Sequence, residues 1–263
     1  MKYGFIGCGN MGGALARALS KTTKDIMLSD YLPEKAKELA NELGCSFGTN
    51  EDIVNNCNRI FLGVKPQVMR ETVTEISDIL KDKKPLLITM AAGLKLKTIT
   101  DFVGENLPVI RIMPNTPVSV GEGMIIYCRN SLVSDGNLLS FVLDMKYSGT
   151  FDLIDEELID AGCSVSGCGP AFMFMFIDAL AKAGASIGLS REQAIKYAAT
   201  TMLGSAKLLL DSGKNPEELK QAVCSKGGST IMGVNAFEDG GLYELTEKAV
   251  NASFERNKQL GKQ

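Results

Sequence analysis

Near its N-terminus the chain reads Lys2-Tyr3-Gly4-Phe5-Ile6-Gly7-Cys8-Gly9-Asn10-Met11-Gly12, a short apolar run that breaks into three glycines at G-x-G-x-x-G spacing. The pattern predicts a strand, a tight turn and a helix over 13–20. Gly7 lets the chain reverse, Gly9 leaves room for a pyrophosphate against the backbone, and Gly12 lets the helix pack closely on the strand. The helix start then offers unpaired amides and a positive dipole end to an anion, with no basic side chain needed. Taken alone, the triplet also fits an ordinary glycine-rich turn. A second apolar strand over 25–29 ends in Asp30, where an acidic residue meets the ribose hydroxyls of a dinucleotide. The plainer reading of Asp30 is a turn residue ahead of the next helix.

To about Leu153, strand candidates (26–29, 59–64, 85–89, 109–113, 124–127) alternate with helical patterns. The helix over 33–43 opens on Pro33 and ends before Gly44, and the stretches 67–80 and 95–103 carry apolar residues at helical spacing. Such alternation implies a mostly parallel sheet with helices on both faces, whose ligands bind outside the carboxyl ends of the strands. Three strand ends break with small or ring-constrained residues: Val64-Lys65-Pro66, Met90-Ala91-Ala92-Gly93 and Pro114-Asn115-Thr116-Pro117. Each alone is ordinary loop punctuation. Together on one rim they would admit a flat ring close to the backbone.

From Glu156 onward only helices are expected: 169–187, 190–212 opened by the capping box Ser190-x-x-Gln193, 216–224 capped by Asn215, 230–238 and 242–260. The expected division is 1–155 and 156–263. The run Pro170-Ala171-Phe172-Met173-Phe174-Met175-Phe176-Ile177 is apolar all round and needs cover that about a hundred helical residues do not supply, so a partner subunit is expected to provide it. Between two helices, Ser225-Lys226-Gly227-Gly228-Ser229-Thr230 would set several amides at a helix start, a second anion site and a place for a carboxylate.

The net charge of -3 and the lack of any dense Lys/Arg run give no footprint for nucleic acid or an anionic membrane. Seven scattered cysteines, odd in number and never in C-x-x-C spacing, argue against a disulfide framework and a zinc site. The chain opens on its first strand, and its longest uncharged apolar run, 171–177, is too short to span a bilayer. These features lead to the expectation of a cytoplasmic protein without a metal.

The motifs Ile6 to Gly12, Val64-Lys65-Pro66, Ala91-Ala92-Gly93, Pro114 to Pro117, Gly167-Cys168-Gly169-Pro170-Ala171-Phe172 and Ser225 to Thr230, in this order over essentially the whole chain, resemble the Δ1-pyrroline-5-carboxylate reductase family. The resemblance implies an α/β N-terminal Rossmann-type dinucleotide-binding domain followed by an all-α dimerisation domain. It also implies hydride transfer from NADH or NADPH to a cyclic imine, giving proline. Ile6, Gly7, Cys8, Gly9, Asn10, Met11, Gly12, Asn50, Val64, Lys65, Pro66 and Ala92 would then line the cofactor. Gly228, Ser229, Thr230 and Glu156 would hold the substrate, with Thr230 catalytic. The assembly implied is a domain-exchanged homodimer, often built into rings of dimers. The chain departs from the family pattern at Lys226, where proline is usual, at Cys168 for serine, at Phe172 for tyrosine and at Ala222, where some members place asparagine. Many members put Ser, Asn or Arg at Asp30 for a 2′-phosphate, so the acidic residue leans the expectation toward NADH.

The chain has no histidine, which removes the commonest general acid. A cyclic imine binds already protonated, so hydride delivery needs orientation more than a proton donor. A β-hydroxyacid dehydrogenase shares the two-part plan, but its G-x-G-x-x-x-K-x-x-N signature would fall on Gly167 and Gly169 with Met173 and Phe176 in place of Lys and Asn. A reductase of another cyclic imine, such as one with a six-membered ring, and a dinucleotide-sensing protein without turnover are the remaining alternatives, and the sensing protein has no use for the Gly-Gly-Ser-Thr loop.

Overall fold

The structure is a computed structural model and describes residues 2–260. By its contacts the chain forms two compact units. One runs to Cys168 and takes in the chain again from Ser253; the other is Gly169–Ala252. The stretch 156–168 and the end of the last helix therefore pack with the sheet.

The first unit is built on one eight-stranded sheet in the order β3-β2-β1-β4-β5-β6-β7-β8. Its strands are β1 (Tyr3–Ile6), β2 (Ile26–Ser29), β3 (Ser46–Phe47), β4 (Arg59–Leu62), β5 (Leu86–Thr89), β6 (Val109–Met113), β7 (Gly123–Arg129) and β8 (Gly149–Leu153). Neighbours from β3 to β6 are parallel, β7 runs antiparallel to β6, and β8 runs parallel to β7. Because chain order reverses between β1 and β4, a crevice opens there at the carboxyl ends. Register makes Ile6 level with Ser29 on one side and Leu62 on the other, so the glycine turn, Asp30 and Gly63-Val64 emerge side by side.

Helices α1 (Asn10–Ser20), α2 (Pro33–Leu43), α3 (Asn50–Asn56), α4 (Pro66–Glu75), α5 (Ser77–Lys83), α6 (Leu96–Val103) and α7 (Asp135–Asp144) cover the sheet. Alternate strand residues feed two cores. Phe5, Leu28, Phe61 and Ile88 pack with Leu15, Leu39 and Phe141, whereas Ile6, Ile60, Leu62 and Leu87 pack with Ile53, Val73, Leu80 and Ile99. The Phe5 and Phe61 rings stack with centroids 4.2 Å apart. At the other end of the strands, buried Arg59 donates to the Tyr3 hydroxyl at 2.5 Å and to Asp144 at 3.3 Å, and Tyr3 donates to Asp144 at 2.6 Å. This ties β1 and β4 to α7.

The α/β alternation expected from the sequence is present, with differences. The helical pattern over 67–80 is two helices meeting at buried Ile76. Thr72 and Thr74 donate their hydroxyls to the carbonyls of Val68 and Arg70, a back-bonding that disfavours a straight continuation. β3, α3, α7 and β8 were not expected. β3 is two residues long, and β8 is an edge strand with no fully buried residue, so neither carries a strong apolar pattern.

After β8 the chain turns helical through a 3₁₀ turn (Glu156–Leu158), α8 (Ile159–Gly162) and a π-helical turn (Cys163–Gly167), leading into α9 (Gly169–Ser186). The helical stretch Glu156–Ser186 is long and apolar enough, by length and composition, to cross a membrane. This corrects the expectation from the run 171–177, because isolated Asp178 and Lys182 do not interrupt the apolar average. α10 (Arg191–Ser212), α11 (Pro216–Val223), α12 (Ser229–Asp239) and α13 (Leu242–Leu260) follow, with the capping boxes at Ser190 and Asn215 formed as expected. In α9 and α10 the fully buried residues are Gly169, Ala181, Ala194 and Ala198; α11 and α12 have none.

Candidate functional site

Each glycine of the N-terminal turn has its own structural reason. Gly7 has φ +102°, and a Cβ there would lie 2.7 Å from the Gly63 carbonyl carbon, so β1 and β4 approach closely only because both residues are glycine. A Cβ on Gly12 would run into the Gly7 carbonyl oxygen. Gly9 differs: a Cβ there meets nothing within 4 Å. Internal packing does not require that glycine, whereas a ligand lying against the turn would. Gly9 caps α1 without any side-chain hydrogen bond, and the first turn has no acidic residue, so the leading amides of α1 keep their donor capacity for an anion.

Beside the turn a cleft of about 710 Å³ runs along the ends of β1, β2 and β4, within the usual size of a small-molecule site. Ile6, Gly7, Asp30, Asn50 and Val64 line it, five of the residues expected at a cofactor. Asp30 is fixed: Oδ2 accepts from the Cys8 amide at 2.7 Å and Oδ1 from the Leu32 amide at 3.0 Å. Asn50 opens α3 behind a Thr49–Asp52 capping box and accepts from the Ser29 hydroxyl at 2.7 Å. Cys8 to Gly12 form the adjoining turn and helix start. Lys65 caps α4, Pro66 begins it, and Ala92 lies in the turn after β5, on the same strand-end rim but outside the cleft lining. The residues present therefore fit a dinucleotide.

The sequence reading passed over Tyr31, Val68, Glu71 and Glu75, which also line the cleft. Pro66, at the first position of α4, marks the helix that carries Val68, Glu71 and Glu75, but their own pattern reads as a solvated helix face. The Cys8 thiol is pushed up to about 12 by burial and by the Asp30 charge, so it is a neutral packing group and not a nucleophile.

Glu156 is occupied within the first unit. Its Oε1 accepts from the Leu96 amide at 2.7 Å, capping α6, and faces Arg111 at 3.3 Å. Arg111 is buried on β6 and reaches Asp160 at 3.4 Å, while its Nε has no partner among the described residues. Asn115, from the third rim motif, accepts from the Met124 amide and donates to the Ser166 carbonyl, bracing the π-helical turn.

In the second unit the loop 225–228 turns through Gly227 at φ +72°, and the Gly228 amide donates to the Ser225 carbonyl at 3.0 Å. Gly228 caps α12 with no side-chain bond and no acidic residue in the first turn. Ser229 and Thr230 are exposed on that turn, and among the described residues neither hydroxyl is engaged. The leading amides of α12 and the two hydroxyls are the donors that a small carboxylate would need.

Known proteins resemble the chain along its whole length. The family described as pyrroline-5-carboxylate reductase dimerisation matches residues 156–260, and that described as NADP oxidoreductase coenzyme F420-dependent matches residues 2–93. A pyrroline-5-carboxylate reductase of Aquifex aeolicus is 35% identical over 99% of this chain and 97% of its own. The solved structure of a pyrroline-5-carboxylate reductase from Coxiella burnetii superposes with a TM-score of 0.93 at 30% identity, covering 100% of this chain and 99% of that one. A Plasmodium falciparum pyrroline carboxylate reductase with NADP bound gives 0.87 at 29% identity, covering 99% and 98%. Matched over essentially its whole length by these relatives, this protein belongs to the pyrroline-5-carboxylate reductase family.

Proposed function

We propose that the protein reduces the C=N bond of Δ1-pyrroline-5-carboxylate with NAD(P)H, giving proline. The observation that carries this reading is the start of α12, with no side-chain cap and no acidic residue in its first turn, which suits a substrate whose fixed charge is one carboxylate. The amides of Ser229 and Thr230 hold that carboxylate where Gly228, its own amide tied to the Ser225 carbonyl, brings the chain into α12, and the Thr230 hydroxyl orients the imine nitrogen. Substrate arrives protonated, so these groups act by position and no general acid is needed. Gly7 to Gly12 receive the pyrophosphate, Asp30 and Asn50 the adenosine side, and Val64, Lys65, Pro66 and Ala92 the remaining rim. When bound, the nicotinamide supplies the hydride. Glu156 acts through α6 and Arg111, which its Oε1 already engages.

Asp30 accepts from the ribose hydroxyls, and NADH is the preferred reductant. The segment from 156 to 263 makes a homodimer, in keeping with the dimerisation family that matches 156–260, and such dimers assemble further into rings. The apolar face of α9 packs on a partner subunit instead of lipid, in keeping with the ion pairs of Asp178 with Lys182 and Arg191 within this segment. The enzyme works in the cytoplasm. Oxidation of NADH, followed by the loss of the reduced ring's absorbance with pyrroline-5-carboxylate as substrate, tests the reading. Turnover to proline is expected. Dinucleotide binding without turnover would replace it with a sensing role.

A further inference from the structure

Across the adenosine cleft from Asp30, the wall formed by α4 presents Glu71 and Glu75, one helical turn apart, together with Val68 and Thr72. Asp52 lines the same cleft from α3. The lining thus carries four carboxylates, those of Asp30, Asp52, Glu71 and Glu75, and no lysine or arginine. Two of the four are immobilised as anions: Asp30 by two backbone amides, and Asp52 by its capping box, whose hydrogen bonds from Thr49 hold its pKa down. Glu71 and Glu75 have no ion pair or hydrogen bond among the described residues, so their charge faces the cleft and solvent. The start of α2, a second positive helix end near Asp30, carries Glu34 in its first turn, which offsets the dipole.

We propose that Glu71 and Glu75 are specificity-determining residues that, with Asp30, exclude a 2′-phosphate from this cleft. The inference rests on the reading that the cleft holds the adenosine half of NADH, and it extends that reading from one residue to a wall. Asp30 acts by contact, accepting hydrogen bonds from a free 2′-hydroxyl. Glu71 and Glu75 act at longer range, by repulsion in a solvent-open cleft, so their share of the discrimination is screened by salt and that of Asp30 much less. Tyr31 is 96% exposed at the mouth of the same cleft, leaving an aromatic face for the adenine whichever ribose is attached.

The test uses binding alone. Dissociation constants of ADP-ribose and 2′-phospho-ADP-ribose are measured by calorimetry on the full-length protein, wild type and the variants Glu71→Gln/Glu75→Gln and Asp30→Ser, from about 20 to about 300 mM KCl. Wild type is expected to favour ADP-ribose, by a ratio that shrinks as salt rises. The double variant is expected to lower that ratio roughly three- to tenfold at low salt and to flatten its salt dependence. Asp30→Ser is expected to lower it at all salt concentrations. A double variant with the ratio and salt slope of wild type, while Asp30→Ser collapses the ratio, overturns the role of the α4 wall and leaves the NADH reading standing. A wild type that binds the 2′-phosphate compound as tightly as ADP-ribose overturns the NADH reading itself. Circular dichroism of each variant confirms that a changed ratio does not come from lost fold.

Discussion

A methyl group added to Gly9 and one added to Gly12, three positions apart in the same turn, would do different things. At Gly12 it meets the Gly7 carbonyl, so Gly12→Ala is expected to cost about 1–3 kcal/mol of stability, as overpacking does, seen as a lowered Tm. At Gly9 it meets only open space, so Gly9→Ala is expected to keep the wild-type Tm while weakening NADH binding; an unchanged dissociation constant would mean that no ligand lies on the turn. Thr230 is the corresponding test in the other unit. A hydrogen bond to a charged group contributes about 1.5–3 kcal/mol, and about 1.4 kcal/mol is a factor of ten in rate. Thr230→Ala should therefore lower kcat/KM for the imine roughly ten- to a hundredfold, with Thr230→Ser keeping most activity. On the proposed anchoring by backbone amides, Lys226→Ala should do less than Thr230→Ala. Steady-state kinetics in which Lys226→Ala alone collapses activity would move the anchor to the lysine.

At the scale of elements, the Tyr3–Arg59–Asp144 cluster shows what the sheet needs away from the ligand. Arg59 is buried and Asp144 is partly exposed, so removing the carboxylate strands a buried cation, whereas removing the arginine leaves an anion that water reaches. Asp144→Ala is expected to cost about 3–5 kcal/mol and Arg59→Met less, by urea denaturation. Burial, and next the Asp144 hydrogen bond, raise the Tyr3 pKa above its ordinary 10.0. Burial likewise pushes the Cys128 thiol up to about 12 and those of Cys57 and Cys163 to about 11. Groups with raised folded pKa values stabilise the fold fully below their unfolded values and lose that contribution as pH climbs toward the folded ones. The shifts predict that these groups leave stability level up to about pH 9 and erode it above, with denaturant midpoints as the measurement. The elements that the sequence revealed are those with strong local chemistry: the glycine turn, Pro33 at a helix start, Gly44 past its end, and the boxes at Ser190 and Asn215. What it hid was set by tertiary context. β8 pairs only with β7, the break at Ile76 depends on burial, and the α4 wall is assembled by topology from residues that look like an ordinary solvated helix face.

At the scale of the molecule, the two units differ in how they hold themselves together. The sheet unit has two apolar cores, with Phe5, Phe61, Leu62 and Leu87 fully buried. In Gly169–Ala252 the buried apolar side chains are alanines, while Phe174, Met175, Leu203 and Leu210 are each at least 65% exposed. Covering one such large side chain contributes about 1.5–3 kcal/mol, so a face of them left in water is a cost that a second copy removes. Obligate interfaces of this apolar kind bury about 2,000 Å² or more, and association then becomes part of folding. The protein is expected to sediment as a dimer or a multiple of one at every concentration where it remains folded, with a Tm that rises with protein concentration. Two aspartates replacing Met175 and Leu203 are expected to give monomers whose second unit loses helical circular dichroism, while the dinucleotide unit still binds ADP-ribose. If those monomers keep both full helicity and activity, the apolar helices are stable without a partner; if detergent or lipid vesicles, and not a second copy, prevent aggregation of the wild type, the face belongs to a membrane.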